Sequence, residues 1–296
     1  QVSGTADYAA DTEEEAIALA REIVETLVPR PRTEIDWAEP EDPFYDAREL
    51  YGLIPEGGRT QYDVHELIAR LVDGSRFHEF QPDYGTTLVA GYARIWGYKV
   101  GVLGNNGVLF NDSSLKAAHF IDHCTKSNTP LIFLQNITGY MVGKQYEAQG
   151  ITKDGAKMIM LQASANVPKF TVIVGGSYGA GNYGMCGRAY DPRFLFTWPS
   201  AKLGVMGAEQ AAGVLTDLRV QGLERKGAAP TDAEIAAIRQ PILEKYDAES
   251  SPYFATSRLW DDGILDPVDT RNALGIAISA SLNAPIPEPR HGVLRL

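Results

Sequence analysis

The chain has 296 residues, of which 38 are acidic and 27 basic, giving a formal charge of −11, with 44% hydrophobic and 22% charged side chains. This is the balance of a globular protein with a sizeable core, and it excludes the net basic face that a nucleic-acid binder needs. No apolar run nears the roughly 20 residues of a membrane span and no signal-peptide layout opens the chain, while two cysteines, Cys124 and Cys186, are too few for a disulfide framework; a cytosolic (bacterial) or mitochondrial-matrix protein is expected.

Thr12 and Glu15 have capping-box spacing, and Ile17, Ala20, Val24 and Leu27 then recur at helical intervals until Pro29 and Pro31. The segment 29–61 is rich in proline and ends near Gly57-Gly58, an arm whose Trp37, Phe44, Tyr45, Leu50 and Tyr51 are expected to dock. The main body is expected over 62–296. Asp63 caps a helix through Val72, and Leu88–Ile95 and Val100–Leu103 read as strands joined by a tight turn at Trp96-Gly97. A helix over Asp112–Ser127, the strand Leu131–Leu134 and the loop Asn136–Gly143 follow. A helix over Thr152–Ala165 leads to a strand at Phe170–Val174, then to the glycine-rich run Gly175–Gly184. The remainder reads as a strand at Phe194–Thr197 and helices near 207–217, 231–246 and 269–282. This alternation predicts an α/β fold, a mainly parallel sheet covered by helices.

Gly179-Ala-Gly181-Asn-Tyr-Gly184 matches G-x-G-x-x-G, yet Gly175–Tyr178 separate it from the expected strand end and the next strand supplies no acid for a ribose. Both points speak against a dinucleotide site. The same glycines could instead present free backbone N–H groups at a helix start, an oxyanion hole, with the loop Thr138–Gly143 as the opposite wall. Close packing of helix on sheet is the equally open structural alternative. His119 and His123 have zinc-compatible i,i+4 spacing, but Phe120 follows where a hydrolytic zinc helix carries glutamate; a hydrogen-bonded, partly buried pair is expected. Ser177 lies in Gly175-Gly-Ser-Tyr-Gly179, which fits a nucleophile elbow, although the only later histidine is His291. Cys186 is read as a packing residue inside the helix.

The run GGSYGAGNYGMCG (Gly175–Gly187) resembles the carboxyltransferase (β) subunits of biotin-dependent acyl-CoA carboxylases, methylcrotonyl-CoA carboxylases above all. So do DVHELIARLVDGSRFHEF (Asp63–Phe80), VGVLGNNGVLF (Val100–Phe110), PLIFLQNITGYMVG (Pro130–Gly143), EAQGITKDGAKM (Glu147–Met158), WPSAKLGVMGAEQAA (Trp198–Ala212) and RLWDDGILDPVDTR (Arg258–Arg271). The resemblance implies a crotonase-like (ClpP/crotonase) ββαβ superhelix. It also implies that this chain, which opens at Gln1, is the C-terminal, biotin-binding domain, with 1–28 trailing from a missing N-terminal carboxyltransferase domain. By resemblance, the Ala180 and Gly181 amides hold the ureido oxygen of biotin, which arrives as carboxybiotin on a carrier domain. Tyr140, Met141, Gly143, Tyr178 and Gly179 then line the biotin slot, and Tyr183 sets substrate choice in favour of a branched, unsaturated acyl-CoA. The implied partners are the acyl-CoA, the biotin carboxylase (α) subunit with its biotin carboxyl carrier, and further copies of the β subunit in a hexamer. No metal is implied. An acyl-CoA hydratase or isomerase on the same fold, and a non-catalytic assembly domain, are the alternatives.

Overall fold

Helix α1 (Glu13–Glu25) begins where its capping box places it: the Thr12 hydroxyl accepts the Glu15 N–H at 3.2 Å and the Glu15 carboxylate accepts the Thr12 N–H at 3.3 Å. The computed structural model describes residues 8–27, 32–54, 62–289 and 292. Gln1, Pro29, Pro31, Gly57, Gly58 and His291, used above, lie outside these. No residue of α1 is buried, so its Ile17 and Val24 face solvent in the described structure.

The arm lies along the sheet through Trp37, which bridges to Tyr98 and donates its indole N–H to the Trp96 carbonyl at 3.1 Å. In the short helix α2 (Leu50–Leu53), Leu50 is buried. The expectation that all five large arm residues dock fails at Phe44, which is 79% exposed. Tyr51 is also exposed and holds on by its hydroxyl, which donates to Asp266 at 2.8 Å.

After α3 (Val64–Ala69), the strands β1 (His78–Glu79), β2 (Leu88–Ile95) and β3 (Tyr98–Asn105) form an antiparallel unit. Its turn has Trp96 at φ 52° and Gly97 at φ 78°, the backbone hand that suits a two-residue hairpin. Tryptophan rarely takes this conformation. The buried Asp73 carboxylate holds it there, accepting the Trp96 N–H at 3.1 Å and the Gly97 N–H at 2.7 Å while Arg271 donates to it at 2.7 Å.

From β3 onward the sheet is parallel. Helix α4 (Asn111–Lys126) leads to β4 (Leu131–Ile137), and α5 (Lys144–Gln149) with α6 (Ile151–Ser164) to β5 (Lys169–Tyr178). Then come α7 (Gly179–Gly184), β6 (Phe194–Thr197), β7 (Lys202–Gly204), α8 (Ala208–Glu224), α9 (Asp232–Glu249), α10 (Pro252–Thr256), β8 (Gly263–Ile264) and α11 (Thr270–Ser281). The strand order is β1-β2-β3-β4-β5-β6-β8, with β7 paired to β5.

Alternation along the strands splits the core in two. Val100, Val102, Ile132, Leu134 and Val172 face α3 and α11 through Leu67, Ile68, Leu274 and Ile278. Leu103, Leu131 and Phe133 face α4 and α6 through Phe120, Ile121, Met158 and Leu161. The mainly parallel, helix-covered α/β sheet is as expected. The sequence reading missed β7, β8 and the short helices α2, α5 and α10, and ended β5 at Val174, four residues too early. The strand continues through Gly175 and Gly176 because β4 and β7 give its end partners: Ser177 pairs with Ile137, and Gly176–Tyr178 with Lys202–Gly204.

Candidate functional site

Because β5 runs to Tyr178, Gly179 opens α7 directly at the carboxyl end of a central parallel strand. One ground given above against a dinucleotide site, the four-residue gap, therefore does not hold. The other does: β6 ends Phe196-Thr197 and continues to Trp198 with no acid. Gly179 has φ 53°, the left-handed region that suits glycine. The first amides of a helix have no acceptor within it, so the Ala180 and Gly181 N–H groups have no acceptor inside α7.

Two further glycines bring α7 against the loop after β4. A side chain at Gly181 would collide with Ile137 and lie 3.0 Å from the Gly139 Cα. A side chain at Gly184 would collide with the Tyr140 hydroxyl. The Tyr140 ring also lies against Gly155 of α6, and its hydroxyl reaches the Met158 sulfur at 3.5 Å. Burial pushes the Tyr140 phenol well above its ordinary range.

Beside α7 lies a cavity of about 450 Å³, lined by Gly179, Ala180 and Tyr183 with Leu203, Val205 and Trp260 among others. Its one cationic wall residue, Arg188, is paired with Asp262 at 2.9 Å and donates to the Trp260 carbonyl at 3.2 Å. Tyr183 is 47% exposed and meets Tyr190 edge-on at 5.6 Å.

The candidate residues thus fall into two groups. Gly179, Ala180 and Tyr183 share the cavity, while Tyr140 and Gly181 share the contact between α7 and the loop. Tyr178 ends β5 with its ring over Gly176 and near Gly204. Met141 and Gly143 are not among the cavity residues. The Met141 N–H donates to Leu109 at 2.8 Å, and Gly143, at φ 131°, starts α5.

Ser177 is 2% exposed, and its hydroxyl is engaged twice: it donates to Gln135 Oε1 at 2.7 Å and accepts from Asn182 Nδ2 at 2.7 Å. These bonds speak against the elbow reading: among the described residues the hydroxyl's partners are Gln135 and Asn182, and none is a histidine. Cys186 lies just beyond α7 at φ 57°, not inside the helix, and burial raises its thiol to about 11, against nucleophilic use. The expected hydrogen bond between His119 and His123 is replaced by an edge-on ring contact at 4.6 Å, with Phe80 against both. Among the described residues no group of three or more His, Cys, Asp or Glu is placed to hold a metal ion, and no helix is long and apolar enough to cross a membrane.

Sequence reasoning missed the polar side chains that hold the far end of α7. Gln162 of α6 donates to the Tyr183 carbonyl at 2.6 Å, Gln135 of β4 to Met185 at 2.5 Å, and Thr171 of β5 to Cys186 at 2.7 Å. Asn136 Oδ1 accepts the Gly176 N–H at 2.8 Å. One signal was present: Gln135 and Asn136 directly follow the apolar run Leu131–Leu134, and polar groups ending a buried strand need partners.

Comparisons with known proteins show the family and the fold. The model of the carboxyl transferase domain matches residues 1–294. The biotin-dependent 3-methylcrotonyl-coenzyme A carboxylase beta1 subunit of Mycobacterium tuberculosis is 50% identical over 296 residues, 100% of this chain and 56% of that protein. The crystal structure of the geranyl-CoA carboxylase beta subunit of P. aeruginosa superposes with a TM-score of 0.81 at 41% identity, covering 100% of this chain and 56% of that one. A transcarboxylase 12S structure, described as a hexamer assembly with hydrolysed methylmalonyl-coenzyme A bound, gives 0.75 at 33%, covering 99% and 56%. The chain spans about half the length of the curated relatives it matches. The fold is that of these subunits, crotonase-like.

Proposed function

The chain belongs to the carboxyl transferase domain family, and from that premise we propose that it acts in carboxyl transfer from carboxybiotin to an acyl-CoA, as the biotin-binding half of a carboxyltransferase subunit. On this reading residues 62–296 form the C-terminal carboxyltransferase domain, 29–61 are the arm, and 1–28 trail from an N-terminal domain. Coverage of about half of each relative is what a half-subunit would give.

The observation that carries the reading is a site built from main chain. Ala180 is exposed on the cavity, its amide and that of Gly181 have no acceptor inside α7, and the neighbouring glycines keep side chains out of the way. Two such donors suit a carbonyl oxygen that gains negative charge, and they need no reorganisation as it forms. The ureido group of biotin fits this cradle, since it offers one such oxygen on a compact ring. When bound, carboxybiotin supplies both the carboxyl group and the ring nitrogen that takes a proton from the acyl-CoA. On this reading the chain's own part would be to hold that oxygen with Ala180 and Gly181 and to border the slot with Tyr140, Met141, Gly143, Tyr178 and Gly179.

Tyr183, one of the cavity residues, would bear on the acyl group, and the methylcrotonyl-CoA carboxylase relative supports a branched, unsaturated acyl-CoA. The reading includes a hexameric β core, supported by the 12S structure's description as a hexamer assembly, and a biotin-carrying α subunit as partner, supported by the biotin-dependent beta-subunit relative. The test is titration of free biotin against the labelled protein. Wild-type protein should show shifts at Gly181 and Tyr140, and Ala180→Trp and Gly181→Trp should abolish them; absence of any shift in the wild type overturns the reading.

A further inference from the structure

Helix α7 is only six residues long, and a helix this short is not stable on its own. Its aim must come from its surroundings. The last carbonyls of a helix lack donors within it, and here the carbonyls of Tyr183, Met185 and Cys186 are each taken by a buried side chain from a different element: Gln162, Gln135 and Thr171. Gln135 is the junction of this set. Its Nε2 holds Met185, and its Oε1 receives the hydroxyl of Ser177, which in turn accepts from Asn182 inside α7. Ser177 therefore ties the strand before α7 to the helix directly, through Asn182, and to the residue just beyond it only by way of Gln135. The Asn182 amide is confined from the other side as well, because a side chain at Gly187 would overlap it.

We propose that Ser177, acting through Gln135 and Asn182, is a positioning residue that fixes the orientation of α7 and thereby the aim of the Ala180 and Gly181 amides. The inference rests on the carboxyltransferase reading for its catalytic consequence, but the placement of the amides can be tested without it. Ser177 and Asn182 are among the residues around the cavity, but Ser177 is only 2% exposed. Its hydroxyl is occupied on both sides, so it contributes rigidity, and an oxyanion donor displaced by a fraction of an ångström loses much of its effect.

The experiment compares Ser177→Ala, Ser177→Cys and Asn182→Ala in the full-length subunit assembled with its biotin-carrying partner. Ile278→Val, a core change on the opposite face of the sheet, is the control for a general loss of stability. For Ser177→Ala we expect kcat to fall about 10- to 100-fold, KM for the acyl-CoA to stay within about twofold, and the shape of the pH profile to be unchanged. The amide resonances of Ala180 and Gly181 should move in Ser177→Ala and Asn182→Ala but not in Ile278→Val. Ser177→Cys, which keeps a weaker donor and acceptor at the same place, should recover part of the loss.

Unchanged kcat with unmoved amides in Ser177→Ala, or an equal loss in the control, overturns the proposal. If Ser177→Ala does not fold, Asn182→Ala, which removes one bond of the chain, decides by the same readouts. A wild-type assembly without biotin-dependent transfer would instead count against the function, and the amide shifts would still decide on Ser177.

Discussion

Helices α7 and α9 are opposites. The first has six residues, and side chains from α6, β4 and β5 take carbonyls at its far end. The second has eighteen residues, none of them buried, with Pro241 inside it. Its definition is local: Thr231 and Glu234 form a capping box, in which the Glu234 carboxylate accepts the Thr231 N–H at 2.8 Å. Length and propensity thus say little about how firmly a helix is held. The short one is fixed by tertiary hydrogen bonds, and the long one stands on its own signals beside α8.

The strongest way to break the contrast is to push α7 off its seat. Gly181→Val places a branched side chain against Ile137 and Gly139; biotin-dependent transfer by the assembled subunit should fall by about 100-fold or more, measured as initial rate. Next, Gln162→Leu leaves the Tyr183 carbonyl without its buried donor, and chemical denaturation should show a loss of about 1–3 kcal/mol. On the other side of the comparison, Thr231→Ala should cost about 1 kcal/mol. Hydrogen exchange should place that loss within α9 and leave the amides of α7 as protected as before.

Acid is the mildest probe. The Thr231 backbone N–H and hydroxyl hold the Glu234 carboxyl below its ordinary value of 4.5. A carboxyl with a lowered folded-state pKa contributes stability that is present above its unfolded value and lost as pH falls through the folded one. Protection in the first turn of α9 should therefore decline below about pH 4.5, whereas the α7 clasp, made of amides and hydroxyls, should show no such step. Equal loss in both helices would remove the distinction.

The same contrast explains how far the sequence could be read. Helix α9 was legible because its cap and its body lie within a few residues of each other, and the expected span 231–246 falls close to Asp232–Glu249. The strand and helix order of the sheet was legible for the same reason, through period-two and helical spacing. That the glycine run opens a helix was also readable, but the end of β5 was not, because Gly175 and Gly176 become strand only when β4 and β7 supply partners. The clasp was hidden altogether. Gln135 reaches a carbonyl 50 positions away and Gln162 one 21 positions away, and no local pattern announces such a bond. Ser177 shows the cost of reading locally, since its neighbours spell a nucleophile elbow while its actual partners make it a tie.

The main-chain character of the Ala180–Gly181 turn decides which kinds of variation can reveal it. An alanine scan would pass over position 180, which already carries alanine, and truncating the apolar side chains around the cavity would leave the donors themselves in place. Damage at this turn can come only from added volume or from loosening the distant ties that aim it. Variants that disable the protein should therefore cluster as enlargements at Gly179, Gly181 and Gly184 and as losses at Gln135, Ser177 and Asn182, two groups with opposite changes in side-chain size and one shared defect.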